Sequence, residues 1–218
     1  MRAPFRLFRP VHWPRLVLWI ACCVLAAGCV GRGPSRPDFD PAASGAEAVR
    51  LYDKNGDGRI AGEELDACPA LKMATGRADQ DSDGGLTAGE IADRIRYFQN
   101  ANTTILNGSV EVTLDGRPLE GATVTFEPEP FLGDYFKPCS GETDANGRAS
   151  MEGQDAKFPG LYLGFYRVRV SKDVDGKETI PAHYNTESQL GYEATDDIPE
   201  VSNIIQFELT SGGVHEGA

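Results

Sequence analysis

Two stretches of twelve residues, Asp53-Lys-Asn-Gly-Asp-Gly-Arg-Ile-Ala-Gly-Glu-Glu64 and Asp79-Gln-Asp-Ser-Asp-Gly-Gly-Leu-Thr-Ala-Gly-Glu90, repeat one pattern. Each has Asp at the first position, an acid or amide at the third, Asp at the fifth, Gly at the sixth and Glu at the twelfth. Average composition meets that set on the order of once in 10⁵ to 10⁶ starting points, so a pair in one chain is no accident of composition. The spacing constrains the fold because the chain must curl until the first and last carboxylates of each stretch face one centre. Coordination of Ca²⁺ asks for such a curl, since this hard cation takes about six to eight oxygens at about 2.3–2.6 Å.

In the first loop the side-chain ligands read from this pattern are Asp53, Asn55, Asp57 and Glu64, with the backbone carbonyl of Arg59 as a further oxygen and Gly58 at the sharp turn. In the second they are Asp79, Asp81, Asp83 and Glu90, with the carbonyl of Gly85 and the turn at Gly84. At the ninth position Ala61 acts only through a water, whereas Thr87 offers a hydroxyl that would orient one. Four carboxylates in loop two against three and an amide in loop one favour tighter binding at loop two if the loops are equally rigid, and the glycines of loop two weigh against equal rigidity. Ile60 and Leu86, both at the eighth position, are expected to face each other across a short antiparallel bridge. The same stretches also read as ordinary acidic turns, since Asn-Gly and Asp-Gly mark turns without any ion.

The two stretches resemble the calcium-binding loops of EF-hands, which implies a helix on either side of each loop. Asp40-Pro41 reads as an N-cap followed by proline at the first helical position, with Val49 and Tyr52 on one face. Ile91, Ile95 and Phe98 recur at helical spacing after loop two. Only Leu65 to Ala78 separates the loops, interrupted by Pro69 and Gly76, so two abbreviated helices are expected there with Leu65, Leu71 and Met73 as their core.

Arg2, Arg6, Arg9 and Arg15, the apolar run Leu16 to Ala27 and then Gly28-Cys29 have the layout of an export signal over residues 1–28. Leu25-Ala-Ala-Gly-Cys29 resembles the lipobox of bacterial lipoproteins, which implies lipidation at Cys29, anchorage to a bacterial membrane and a place in the cell envelope. Ala26-Ala27-Gly28 also suits ordinary signal cleavage, and Val11 to Val30 an uncleaved anchor. Residues 29–41, rich in Gly, Pro and Ser, read as a flexible tether. Without residues 1–28 the chain keeps 17 basic against 33 acidic side chains, a net charge of −16 that repels nucleic acid and anionic lipid headgroups. Export also permits a disulfide between Cys68 and Cys139, though they fall in different predicted domains.

After a polar linker over Gln99 to Thr104 the period changes to two. Val110, Val112 and Leu114 alternate with polar residues, as do Ala122, Val124 and Phe126, then Tyr166, Val168 and Val170, then Ile205, Phe207 and Leu209. Asp115-Gly116 and Asp144-Ala-Asn-Gly147 mark turns between them. The run Gly108 to Phe126, the segment Thr143-Asp-Ala-Asn-Gly-Arg148, and Pro159-Gly160 leading into Tyr166-Arg-Val-Arg-Val170 resemble the carboxypeptidase regulatory-like and transthyretin-like domains of bacterial surface proteins. The resemblance implies a seven-stranded sandwich that serves as a structural or interaction module. The expected fold class is thus α+β and multidomain: a small helical EF-hand pair over 42–101, then an all-β prealbumin-like (Ig-like) sandwich over 105–210 and a tail over 211–218.

Motifs for catalysis are missing: the sequence holds no His-Glu-x-x-His, Cys-x-x-Cys, Gly-x-Ser-x-Gly or Gly-x-Gly-x-x-Gly. The histidines, arginine and C-terminal tetrapeptide of the hydrolytic transthyretin-like branch are missing as well. His183, with Tyr184 and Tyr192, is a candidate for binding a ligand, although an imidazole beside aromatics is also read as packing, and Tyr162, Phe165 and Tyr166 are candidates for stacking on sugar rings. The expectation is a non-enzymatic, calcium-binding, lipid-anchored envelope protein whose sandwich meets an unidentified envelope protein, with a glycan-binding protein holding structural calcium as the alternative.

Overall fold

Asp40 caps the first helix, α1 (Pro41–Tyr52), by accepting from the Ala42 amide at 2.9 Å, and Pro41 supplies a first turn that needs no amide donor. The computed structural model describes residues 36–152, 159–198 and 204–212; Cys29 and the export-signal reading lie outside them. All the described residues belong to one unit, Pro34–Ala218. After α1 come β1 (Arg59–Ala61), a 3₁₀ turn (Gly62–Ala67), α2 (Pro69–Ala78), β2 (Gly85–Thr87) and α3 (Ala88–Asn100). Strands β1 and β2 pair antiparallel with Ile60 opposite Leu86, both fully buried, which is the expected bridge. Helices α1 and α3 touch through Gly45, where an added Cβ would stand 2.2 Å from the Ala88 carbonyl oxygen.

Between the loops the two abbreviated helices are a 3₁₀ turn and a ten-residue α-helix. Leu65 and Leu71 are buried as expected, but Met73 is 46 % exposed. At about 100° per residue Met73 lies nearly opposite Leu71, and the buried stripe is instead Ala70, Leu71, Ala74 and Ala78. The described end of the expected tether is also held, because the Arg36 guanidinium donates to the carbonyl of Gln99 in the last turn of α3 at 2.8 Å and to that of Thr103, beyond the helix, at 3.2 Å.

The remaining chain is β3 (Ile105–Leu106), β4 (Ser109–Leu114), β5 (Arg117–Pro118), β6 (Thr123–Pro128), a 3₁₀ segment (Pro130–Tyr135), β7 (Cys139–Glu142), β8 (Arg148–Ser150), β9 (Leu161–Tyr162), β10 (Gly164–Ser171), β11 (Asp173–Val174), β12 (Lys177–Glu178), β13 (Leu190–Ala194) and β14 (Ile205–Leu209). One antiparallel sheet runs β13-β10-β6-β7. In a second sheet β4 pairs parallel with β14 on one side, and antiparallel with β5 and β8 on the other. Val110, Val112, Val124, Phe126, Val168, Val170, Phe207 and Leu209 form one apolar cluster drawn from both sheets.

Alternation along β10 explains how the helices attach. Tyr166, Val168 and Val170 enter the cluster between the sheets, while Phe165 joins a second core with Ile91, Ile95 and Phe98 of α3 and Leu71 and Ala74 of α2. The first sheet is therefore covered on one face by the second sheet and on the other by helices, so the helical and β segments share a core. The fold is α+β. Cys68 and Cys139 are both buried and free, one in each apolar cluster.

The seam holds a buried carboxylate. Glu129 is 1 % exposed; Tyr52 donates to its Oε2 at 2.9 Å, and an Arg167 nitrogen stands 3.8 Å from its Oε1. Burial pushes its pKa above the ordinary range, against the opposing pull of Arg167, Tyr52 and Cys68. A raised carboxyl pKa favours folding fully below the unfolded value near 4.5 and loses that contribution as pH climbs through the folded value. Glu129→Gln keeps an acceptor for Tyr52 without the charge. Its urea midpoint should exceed the wild type's at pH 8, with the difference closing by pH 4; a lower midpoint at pH 8 would mean that the ion pair with Arg167 outweighs burial.

Candidate metal centre

In loop one Asp53 accepts from the amides of Gly56 at 2.6 Å and Gly58 at 2.9 Å, Asn55 Oδ1 from Asp57 at 2.8 Å and Asp57 Oδ1 from Arg59 at 3.1 Å. Loop two repeats the scheme: Asp79 accepts from Ser82 at 2.7 Å and Gly84 at 2.9 Å, Asp81 from Asp83 at 3.2 Å and Asp83 from Gly85 at 2.9 Å. Gly58 and Gly84 have φ of 89° and 85° with nothing near a would-be Cβ, so glycine is needed there for backbone conformation and not for space.

The twelfth-position glutamates close each ring. Glu64 accepts from Lys54 at 2.7 Å, Asn55 at 3.0 Å and Ala61 at 3.1 Å. Glu90 accepts from Gln80 and Thr87 amides, both at 2.9 Å. The Thr87 hydroxyl, read from the sequence as an orienter of water, instead donates to Glu90 Oε2 at 2.8 Å and accepts the Glu90 amide at 3.3 Å, capping α3. Donated amides lower the Glu64 pKa, the Ala61 amide first, and that of Asp79, the Gly84 amide first. For Glu90 burial pushes upward, but the Thr87 amide and hydroxyl and the Gln80 amide outweigh it and the net shift is downward.

All ten residues read as ligands, Asp53, Asn55, Asp57, Arg59, Glu64, Asp79, Asp81, Asp83, Gly85 and Glu90, thus lie in two adjacent loops joined by the β1–β2 bridge. Carboxylate oxygens of Asp79, Asp81 and Asp83 stand within 4.8 Å of one another. The donor set is all oxygen, with no imidazole or thiolate, and fits a hard divalent cation better than zinc or copper. The pattern of spacing missed one participant: the guanidinium of Arg59 pairs with the Asp83 carboxylate across the bridge.

The other candidates fare differently. Tyr162, Phe165 and Tyr166 are buried in the two cores, and Phe165 and Tyr166 present no ring to solvent. His183 packs on Tyr184 with ring centroids 4.0 Å apart, and its buried Nε2 has no hydrogen-bond partner among the described residues, whereas Tyr192 packs on Phe126. Burial pushes the Cys139 thiol up to about 12 and that of Cys68 upward as well, so both are protonated thiols at neutral pH. Among the described residues no helix is long and apolar enough to cross a membrane. No family model, curated protein or solved structure matches this chain.

Proposed function

We propose that the chain is a calcium-binding, lipid-anchored protein of the cell envelope, in which an EF-hand pair steadies a carboxypeptidase regulatory-like, prealbumin-like sandwich used for protein contacts. The observation that carries this is the pairing of two loops that repeat one oxygen scheme and share the Ile60–Leu86 bridge. Asp53, Asn55, Asp57 and Glu64 would hold one ion with the Arg59 carbonyl, and Asp79, Asp81, Asp83 and Glu90 the other with that of Gly85. Calcium bound there supplies positive charge that relieves the repulsion among the carboxylates.

A structural role is favoured over a sensor. A sensor pair must swing its helices apart to uncover an apolar groove. Here Arg77 at the end of α2 and Arg94 in α3 both pair with the fully buried Glu193 of β13. Moving either helix would take one of the two guanidinium partners from that carboxylate.

Calorimetric titration of the full chain with calcium should show two sites. Glu64→Gln and Glu90→Gln should each weaken their own site by about tenfold or more through loss of the ring-closing carboxylate. Calcium at 100 times the dissociation constant should add about 2.7 kcal/mol of stability per site relative to chelator. Undiminished binding in the double variant would refute the ligand assignment.

A further inference from the structure

We propose that Arg59 is a tethered counter-cation for loop two, so that a calcium ion there must displace a guanidinium that the protein itself supplies. This rests on the reading of the loops as calcium sites. The seventh position contributes only its backbone oxygen to loop one, which leaves the Arg59 side chain free. The register of the bridge places Arg59 opposite Thr87 and Ala61 opposite Gly85, so the side chain runs along the neighbouring loop. Its Cδ would lie 2.9 Å from a Cβ built on Gly85, and the missing side chain at that position is what leaves room for the crossing. Beyond Gly85 the guanidinium meets Asp83, whose other oxygen accepts the Gly85 amide at 2.9 Å.

Charge is what the arrangement adjusts. Loop two has four carboxylates among its assigned ligands and loop one three. No side-chain cation pairs with an assigned ligand of loop one among the described residues, where the partners are backbone amides and the Asn55 amide. Counting Arg59 with loop two brings both to a net −3. The guanidinium thereby removes the advantage that carboxylate number gives loop two, and it holds Asp83 in place when calcium is scarce. Its side chain is 39 % exposed, so it can withdraw into water without unpacking a core.

The test isolates loop two by carrying Glu64→Gln throughout and compares Arg59 with Arg59→Met and Arg59→Gln by calcium calorimetry on the full chain. Both substitutions keep the backbone carbonyl. Affinity at loop two should rise by about threefold to tenfold, the worth of removing an exposed charge pair and a like charge beside the ion. The gain should shrink in 1 M KCl, where the Debye length falls to about 3 Å. In chelator the same variants should melt at a lower temperature than the parent, so stability without calcium and affinity for it move in opposite directions. Equal or weaker calcium binding in both variants overturns the proposal while leaving the calcium sites intact. Absence of calcium heat in the unmutated chain overturns the calcium reading and this inference with it, and is recognised because no change at Arg59 is needed to see it.

Discussion

Arg94→Met should lower the stability of the folded chain by roughly 3–5 kcal/mol, the cost of stripping a partner from a buried charge. The Arg94 side chain is 7 % exposed and uses its whole fork: Nε meets Glu193, Nη1 and Nη2 meet Asp197 at 2.6 and 2.8 Å, and Nη2 donates to Thr195 at 2.9 Å. The rings of Tyr97 and Phe98 lie below it, 4.6 and 5.1 Å from the guanidinium carbon to their centroids. Methionine fills much of the volume and removes all of the charge, leaving Glu193 with Arg77 alone. Urea unfolding gives the number, and a loss under about 1 kcal/mol would mean that Arg77 suffices. Arg94→Met with Glu193→Met should recover most of the loss, because two apolar side chains often replace a buried ion pair without penalty. Acid offers a second readout. Hydrogen bonds from Arg94 depress the Asp197 pKa to about 2, so the contribution of this pair is complete above the ordinary value of 3.8 and disappears as pH falls from there toward 2. In Arg94→Met that limb of the acid transition should be missing.

Gly191→Ala should cost about 3 kcal/mol, at the upper end of what an inserted methyl does to a packed core. An added Cβ would stand 2.1 Å from the Pro69 carbonyl carbon and 2.2 Å from its oxygen. Both are backbone atoms at the first turn of α2, so no side-chain rotation relieves the clash and the helix must leave the sheet. Gly76→Ala is the matched control: it lies in α2, has nothing within 4 Å of a new Cβ, and should raise stability by about 1 kcal/mol through helix propensity. Opposite signs for one chemical change on two glycines would identify the α2–β13 contact as the cause. Similar small effects at both positions would mean that α2 docks loosely.

The loops were legible because each repeats Asp, acid or amide, Asp, Gly and Glu at fixed positions, and every such position is local. Ile60 and Leu86 were legible because each is apolar at the eighth position of an otherwise polar loop. The strands declared themselves by alternation that one buried face enforces, as at Val110, Val112, Val124 and Phe126. What escaped was the joint between helices and sheet. Arg167 and Arg169 alternate with apolar residues in the manner of a solvent face, yet Arg167 donates to the Ala67 carbonyl at the end of the 3₁₀ turn at 2.6 Å and so ties the sheet to the helical segment. Arg94 and Glu193 are 99 positions apart, and each alone looks like an ordinary surface charge. Alanines along α2 read as helix formers, whereas Ala70, Ala74 and Ala78 make a smooth stripe that lets the helix approach the sheet. No local pattern distinguishes a small residue chosen for propensity from one chosen for clearance.

Strand β4 acquires the neighbour on one of its sides only when Ile205–Leu209 arrives to lie parallel to it. During synthesis from the N-terminus, the three α-helices, β6, β7 and β10 emerge first, β13 then completes the β10-centred sheet, and β14 follows as the last of the described strands. Until residue 209 is available, Val110 and Val112 line a strand with an open edge, the geometry through which nascent chains pair with one another. Strand β14 closes that edge, and a chain stalled before Ile205 is the form from which aggregates should grow.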